Sequence, residues 1–500
     1  MVRPLGRAPV SRTSGRLERY RDVVSDWEAF HAANHAPEPV TLRVRSRLHD
    51  PAEVRASLEA QGFEMHPVPG LPDYLRVAGG PHSVAQTLDH WLGRLHVQQC
   101  VMAVPSLALD PQPGDRVLDM CAAPGGKTAH LAELQGERGC LVAADPKEKR
   151  LRGLMSNLFR LGLTNVVVVA SDGRELPEGA RFDRVLVDAP CSAEGNYRRH
   201  SGRLPPRDAA FVSYVTELQE ALLLRAIELT RPGGRIVYST CTFAPEENER
   251  VVHRVLQRAP VRLHPLTLDL PHEPGLTSWK GEEFGETMRQ AWRLYPQHLD
   301  SGGAFTACLV KEGAAERPTE PDSGLDSGWS PLPVAFPGED PKAARARVEW
   351  ARRDLLDRFG FDPSALEGLG WMVRGENIWV QTAGEWPVDT WAATKGWRTV
   401  SAGLRAFRQD SVGRETPSNH LLGRFAHHLG DARRRRLDDA ELSLLLSGEP
   451  VADESLPPGP IVLTFRGWVL GRGMVGRGGL RHQIPTTQAE RLKALLSLDG

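Results

Sequence analysis

The chain has 500 residues, 40% of them hydrophobic and a quarter charged, enough to bury more than one core. Six cysteines with no C-x-x-C pair and no regular spacing exclude a disulfide scaffold and a zinc cluster, so no metal is expected. A net charge of −1, no apolar segment in the first thirty residues and no run of 18 uncharged apolar residues lead to the expectation of a cytoplasmic protein with no membrane partner.

In chain order, residues 1–95 read as a small N-terminal α+β subdomain. The opening is basic: Arg3, Arg7, Arg12, Arg16, Arg19 and Arg21 stand against Glu18 alone. TLRVRSRL predicts a strand, PAEVRASLEAQG a helix opened by Pro51 and closed by Gly62, and YLRVAG a further strand. Over residues 96–312 the pattern becomes βαβ alternation. Five short runs rich in Val, Leu and Ile (115–120, 139–145, 165–172, 182–190 and 234–241) are separated by helical patterns, and AFTACLVK (304–311) adds a last strand with Cys308 inside it. This predicts an α/β fold, a Rossmann-like, mostly parallel sheet covered on both faces, with ligands at the carboxyl ends of its strands. Cys191 and Cys241 stand at two of those ends. Residues 313–340 form an acidic linker rich in Pro, Ser and Gly. A helix over 341–360 opens a module reaching position 400, whose Trp371, Trp379, Trp386, Trp391 and Trp397 suit a core better than base-stacking platforms. Residues 401–500 form a basic C-terminal module, β-rich toward its end, carrying Arg433, Arg434, Arg435, Arg436 and FRGWVLGRGMVGRGGLRH.

The sharpest local motif is VLDMCAAPGGKT. A strand ending at Asp119 turns through Cys121, Ala122, Ala123, Pro124, Gly125 and Gly126 into a helix beginning near Lys127, and these short side chains let a ligand approach the backbone. The nicotinamide fingerprint G-x-G-x-x-G is absent here. Asp145 ends the next strand, where an acid can take both ribose hydroxyls, and Asp172 follows the one after, within reach of an adenine amine. Together with Arg150 these residues make a candidate site for a nucleoside-bearing cofactor. The same aspartates can also simply cap the helices that follow them.

VLDMCAAPGGKT, FDRVLVDAPCSAEGN, LTRPGGRIVYSTCTFAPEENE and RLYPQH…GGAFTACLV, together spanning about 115–311, resemble the RsmF/NSUN family of S-adenosylmethionine-dependent RNA cytosine-5 methyltransferases. Total length makes the bacterial small-subunit ribosomal RNA enzymes the nearest likeness. The resemblance implies a class I methyltransferase sheet, an RNA-contacting N-terminal subdomain, a PUA-like C-terminal module and S-adenosylmethionine as cofactor. Cys241 would then add to carbon 6 of a flipped cytosine, because carbon 5 accepts a methyl group only after such an addition. Cys191 would assist loss of the carbon-5 proton and release of product. Asp188 would bond the ring at N3, and Lys127 would supply positive charge or touch the ring. The P-C cysteine is the nucleophile of DNA enzymes, so a second loop cysteine favours RNA over DNA. The expected partner is 16S ribosomal RNA or the 30S subunit, bound by a monomer. Transfer RNA, and a non-catalytic role in ribosome assembly, are the alternatives. The N-terminal subdomain, a basic loop with Tyr197, Arg198, Arg199, His200, Arg203 and Arg207, and the C-terminal module would form the RNA rim. The chain departs from the family pattern at Arg45, Cys100, Met102 and Ala193. Trp279 and Trp292 have no use legible in the sequence.

Overall fold

In the computed structural model, which describes residues 14–136, 138–177, 181–204, 208–313, 329–382, 384–387, 398–452 and 456–496, the N-terminal unit is a four-stranded antiparallel sheet. Its strands are Val40–Val44 (β1), Glu64–Val68 (β2), Leu71–Gly79 (β3) and Leu95–Val97 (β4), in the order β2-β3-β1-β4. The helix Pro51–Ala60 starts where Asp50 accepts a hydrogen bond from the Ala52 amide and proline fills a position that needs no donor. Val54 and Leu58, one turn apart, bury with Leu42, Val44 and Leu75 of the sheet. Arg3, Arg7, Arg12, Arg207, Trp391, Trp397 and linker residues 314–328 lie outside the described residues.

Arg45, the departure noted in the sequence, has a structural partner. Arg43 and Arg45 both pair with Glu133 on the helix Gly126–Leu134, Arg45 Nε at 3.0 Å from Oε1, with all three side chains almost out of solvent. Losing Glu133 would leave two buried guanidiniums uncompensated, at a cost of about 3–5 kcal/mol. This triad clamps the N-terminal sheet to the helix that carries Lys127.

The central sheet is the predicted one. Val117–Asp119 (β5), Leu141–Ala144 (β6), Val166–Ala170 (β7), Phe182–Asp188 (β8) and Thr230–Thr240 (β9) run parallel in the order β9-β8-β5-β6-β7. Four valines in a row on β7, all at most 1% exposed, reflect burial on both faces. The chain moves outward from β5 to β7, then returns to β8 on the other side. β5 and β8 therefore flank the topological switch point, where a doubly wound sheet opens a crevice at its carboxyl edge. Ala304–Lys311 pairs antiparallel with β9, as a last strand. A further strand, Arg398–Ala402, pairs antiparallel with β7 at the opposite edge and runs across position 400. Its short polar sequence, RTVSA, carries no pattern that local reading would take for a strand.

Beyond it, Gly370–Arg374, Asn377–Gln381, Leu404–Gln409 and Glu415–Pro417 make a four-stranded sheet in which Trp371 and Trp379 are buried. A second such sheet contains Arg434–Leu437, Gly459–Phe465, Trp468–Gly476 and Gly479–His482. Part of the expected RNA rim is structural instead. Tyr197 is buried, and Arg198 is consumed by the carbonyls of Ala36, Pro37 and Ser301 and by Asp300 at 2.8 Å. A guanidinium satisfied on every side inside the fold cannot reach a phosphate. Trp279 stacks on Tyr20 and donates to Glu246 (3.1 Å), whereas Trp292 lies flat on His272 with centroids 3.7 Å apart.

Candidate active site

Asp119 closes β5 with its side chain wholly out of solvent. Its Oδ2 accepts from the Thr128 hydroxyl (2.7 Å) and its Oδ1 from the Cys121 amide (3.4 Å), so one carboxylate ties together both ends of the glycine loop. Burial pushes this carboxyl up to about 7, against the Thr128 bond that favours its charged form. The loop is held from outside as well. Asn157 Nδ2 donates to the Pro124 carbonyl (3.1 Å), and the Arg150 guanidinium donates to that of Ala123. Gly125 stands at φ 103°, with Leu154 Cδ1 only 2.6 Å from where a Cβ would lie. A residue with a Cβ would meet both a backbone penalty and a clash there. Ala122 and Ala123 are buried, and burial pushes the Cys121 thiol well up, which disfavours a thiolate there.

Asp145, 1% exposed at the end of β6, accepts from the Lys147 amide through Oδ1 (2.9 Å). Its Oδ2 makes no hydrogen bond, only a charge contact with Arg150 Nη1 at 2.9 Å. A buried acceptor left open beside a backbone-lined loop suits a diol donor, and the residues present fit a ribose-bearing group. Asp172 caps the short turn Gly173–Glu175 through the Arg174 amide and forms an ion pair with the Arg174 side chain (2.8 Å), which lowers its pKa. The capping role anticipated for it is present, and the bonds to Arg174 already occupy much of its carboxylate.

At the ends of β8 and β9 the predicted residues converge. Lys127 Nζ donates to Asp188 Oδ2 (2.8 Å) and lies 3.0 Å from Met102 Sδ. Burial alone would lower this ammonium, yet Asp188 holds it above its ordinary value. The Ser239 hydroxyl donates to Asp188 Oδ1 (2.8 Å), fixing the carboxylate from the other side. The two cysteines stand with their sulfurs 3.4 Å apart, both free thiols and both half-buried. The Cys241 amide donates to Cys191 Sγ (3.3 Å), and Asn196 Nδ2 donates to Cys241 Sγ (3.4 Å). A hydrogen bond from Cys191 brings Cys241 below the ordinary thiol range, against burial and Asp188 and with help from Lys127; the same bond, with burial, drives Cys191 well above it. The shared bond thus favours negative charge at Cys241 over Cys191.

The two cysteine loops are sewn to one another. Ser192 and Thr242 share a hydroxyl–hydroxyl bond, and Glu247 accepts from the Ser192 amide (2.9 Å) and from Gln219 (3.2 Å). The Gly195 amide donates to the Cys241 carbonyl (2.9 Å), and a Cβ on Gly195 would meet the Gly303 carbonyl oxygen at 2.2 Å. Ala193 occupies the left-handed region at φ 57°, a conformation that glycine would adopt without the Cβ penalty. Sequence reasoning passed over Asp119, Thr128, Asn196 and Ser239 as site residues, although each lies inside a motif it had singled out. What would have found them is accounting for every buried polar group in those motifs, rather than for strand-end acids and cysteines alone.

Residues 106–310 match the family model described as 16S rRNA methyltransferase RsmB/F, and residues 18–84 match the ferredoxin-like domain of RsmF/B-like methyltransferases. Over 297 residues the chain is 33% identical to the tRNA (cytosine(49)-C(5))-methyltransferase of Pyrococcus abyssi, covering 59% of this chain and 95% of the archaeal one. It is 35% identical over 319 residues to the 28S rRNA (cytosine-C(5))-methyltransferase of Mus musculus, spanning 60% of this chain but only 40% of the mouse protein. The crystal structure of a methyltransferase homolog from Pyrococcus horikoshii superposes with a TM-score of 0.53 at 33% identity, covering 59% of this chain and 99% of the other. Motifs, fold and near-complete coverage of two archaeal relatives agree: the chain belongs to the RsmB/F–NSUN family of S-adenosylmethionine-dependent RNA cytosine-C5 methyltransferases.

Proposed function

We propose that this protein methylates carbon 5 of cytosine in 16S ribosomal RNA of the small subunit, acting in the cytoplasm as a monomer, with Cys241 as nucleophile. The observation that carries the reading is the 3.4 Å sulfur pair, in which the shared hydrogen bond favours charge on Cys241 over Cys191. S-adenosylmethionine, when bound, supplies an electrophilic methyl group. The residues suited to hold it are the loop Cys121, Ala122, Ala123, Pro124, Gly125, Gly126, with Asp145, Arg150, Asp172 and Asp188 around it. Cys241 Sγ adds to carbon 6 of a cytosine drawn out of its stack, which makes carbon 5 electron-rich. Asp188, held by Lys127 and Ser239, would bond the ring at N3 and stabilise the adduct. Once carbon 5 carries its substituent, Cys191 assists removal of the carbon-5 proton. The carbon–sulfur bond then breaks and Cys241 returns as a thiolate.

The description of the matched family model supports 16S ribosomal RNA as substrate. A second reading, transfer RNA, is supported by the archaeal relative whose length this chain covers to 95%. Both share the chemistry. Purified protein with labelled S-adenosylmethionine should transfer methyl to cytosine in RNA from cells lacking the gene, and bisulfite sequencing of ribosomal and transfer RNA should locate the position. Cys241→Ala should abolish turnover and Cys191→Ala should accumulate a covalent protein–RNA adduct. Iodoacetamide at neutral pH should label Cys241 ahead of Cys191. Undiminished turnover in Cys241→Ala would refute the nucleophile, and methylation confined to transfer RNA would replace the ribosomal substrate.

A further inference from the structure

The N-terminal sheet sets two polar side chains against the glycine loop. His96 lies in β4 and Gln98 follows it, so strand alternation sends both to the same face. The backbone there is held by β1. Arg43 stands opposite His96, and Thr41 is bonded twice to Gln98: its carbonyl accepts from the Gln98 amide (3.0 Å) and its hydroxyl donates to the Gln98 carbonyl (2.7 Å). Interior partners decide which end of each side chain faces outward. The Arg160 guanidinium, which can only donate, bonds His96 Nδ1 at 3.0 Å, so a ring proton sits on Nε2. Burial, with Arg160, Arg43 and His90, holds this imidazole well below its ordinary pKa. Arg43 Nε (3.4 Å) and the Tyr74 hydroxyl (3.3 Å) both donate to Gln98 Oε1, which turns the carboxamide nitrogen the other way. His96 is 8% and Gln98 9% exposed, and neither Nε2 donates to an acceptor among the described residues.

Both nitrogens converge on Gly126. A Cβ built there would lie 3.2 Å from Gln98 Nε2 and 3.6 Å from His96 Nε2. Gly126 opens the helix Gly126–Leu134, whose first amides have no acceptor within the helix and whose N-cap, Gly125, brings no side-chain cap. Two buried N–H donors, the open amides of a helix start and the ammonium of Lys127, next in the chain, make a cradle for an anion. We propose that His96 and Gln98 bind the carboxylate at the amino-acid end of S-adenosylmethionine, which makes the N-terminal unit part of the donor site. The proposal rests on the donor placement given above. With Asp145 suited to the ribose, and Asp188 and Cys241 to the cytosine, the carboxylate is the one anionic group of the donor and still lacks a partner. A phosphate of the RNA has related chemistry. Both donors, however, are nine-tenths buried against the loop that holds the cofactor, which favours the smaller group that the cofactor itself carries.

Calorimetry on the full chain tests this with wild type, His96→Phe and Gln98→Glu against two probes. S-adenosylhomocysteine has the carboxylate; 5′-methylthioadenosine shares the nucleoside and the sulfur but lacks the amino-acid end. Gln98→Glu keeps an oxygen for Arg43 and Tyr74 and turns a second oxygen, in place of the N–H, toward Gly126. Each substitution should weaken S-adenosylhomocysteine at least tenfold, the order expected for a lost charge-assisted hydrogen bond, and leave 5′-methylthioadenosine unchanged. The second probe thus reports an intact loop in the same protein. An equal loss for both probes would make the two side chains mere supports of the loop and overturn the proposal, as would undiminished affinity for S-adenosylhomocysteine. Undiminished affinity for S-adenosylhomocysteine together with weaker binding of a single-stranded RNA would assign the pair to a phosphate instead. Failure of the wild type to bind either nucleoside would overturn the donor placement from which the proposal starts.

Discussion

Asp119→Asn isolates the cost of the carboxyl that organises the donor loop. In the fold this group titrates at about 7, mainly because burial penalises its charge, whereas an unfolded aspartate titrates at about 3.8. Between those values the folded state holds a proton that the unfolded state has released, so wild-type stability falls as pH rises through that window. Below about pH 4 both states are protonated and the group contributes no slope. Linkage over a three-unit shift gives a loss of about 2.5 kcal/mol between pH 5 and pH 8, most of it before pH 7. Asparagine carries no proton to lose and keeps an oxygen for Thr128 or the Cys121 amide. Its stability relative to wild type should therefore rise by that amount across the same interval. Urea unfolding of the catalytic sheet, followed by circular dichroism for both proteins at pH 5, 6, 7 and 8, measures the difference and cancels the histidines common to both. A difference that stays flat with pH would mean that Asp119 is ionised throughout, and that its bonds to Thr128 and Cys121 outweigh desolvation.

Gly125→Ala places a methyl 2.6 Å from Leu154 Cδ1 on a backbone at φ 103°, a strain of about 2–3 kcal/mol that must displace either the loop or the helix behind it. Calorimetry with S-adenosylhomocysteine should show at least a tenfold weaker complex, and an unchanged affinity would refute the backbone-approach account of the loop. Ala193→Gly relieves the left-handed strain at φ 57° and should raise stability by roughly 0.5–1 kcal/mol after the added backbone entropy of glycine is allowed for. A loss of stability in thermal unfolding would show instead that the alanine methyl is a needed packing contact.

The central sheet was legible because its information is local. Buried parallel strands spell themselves as runs such as Val166–Val169, and the loops at their ends carry motifs long enough to resemble a family. Cys191, Cys241, Asp188 and Lys127 came from those motifs, and the fold brings all four together. Illegible features depend on partners far away in the chain. Arg398–Ala402 becomes a strand only because the β7 edge accepts it, and Arg198 looks like an RNA-facing arginine until the carbonyls of Ala36, Pro37 and Ser301 close around it. Arg45 is the same lesson in reverse. It reads as a departure from the family pattern, yet with Arg43 it forms the buried pair on Glu133.

That clamp bears on how the site is built. Glu133 sits on the helix whose first turn holds Lys127 and Thr128, so the pull of the N-terminal sheet on Glu133 fixes the helix that aims Lys127 at Asp188 and Thr128 at Asp119. The sulfur pair depends on the same helix, since Lys127 is one of the charges that favour a thiolate at Cys241. The N-terminal unit is thus coupled, through Glu133 and this helix, to a charge that favours ionisation of the sulfur. Its removal should change the pH at which Cys241 reacts even with a reagent as small as iodoacetamide, for which contact with RNA plays no part.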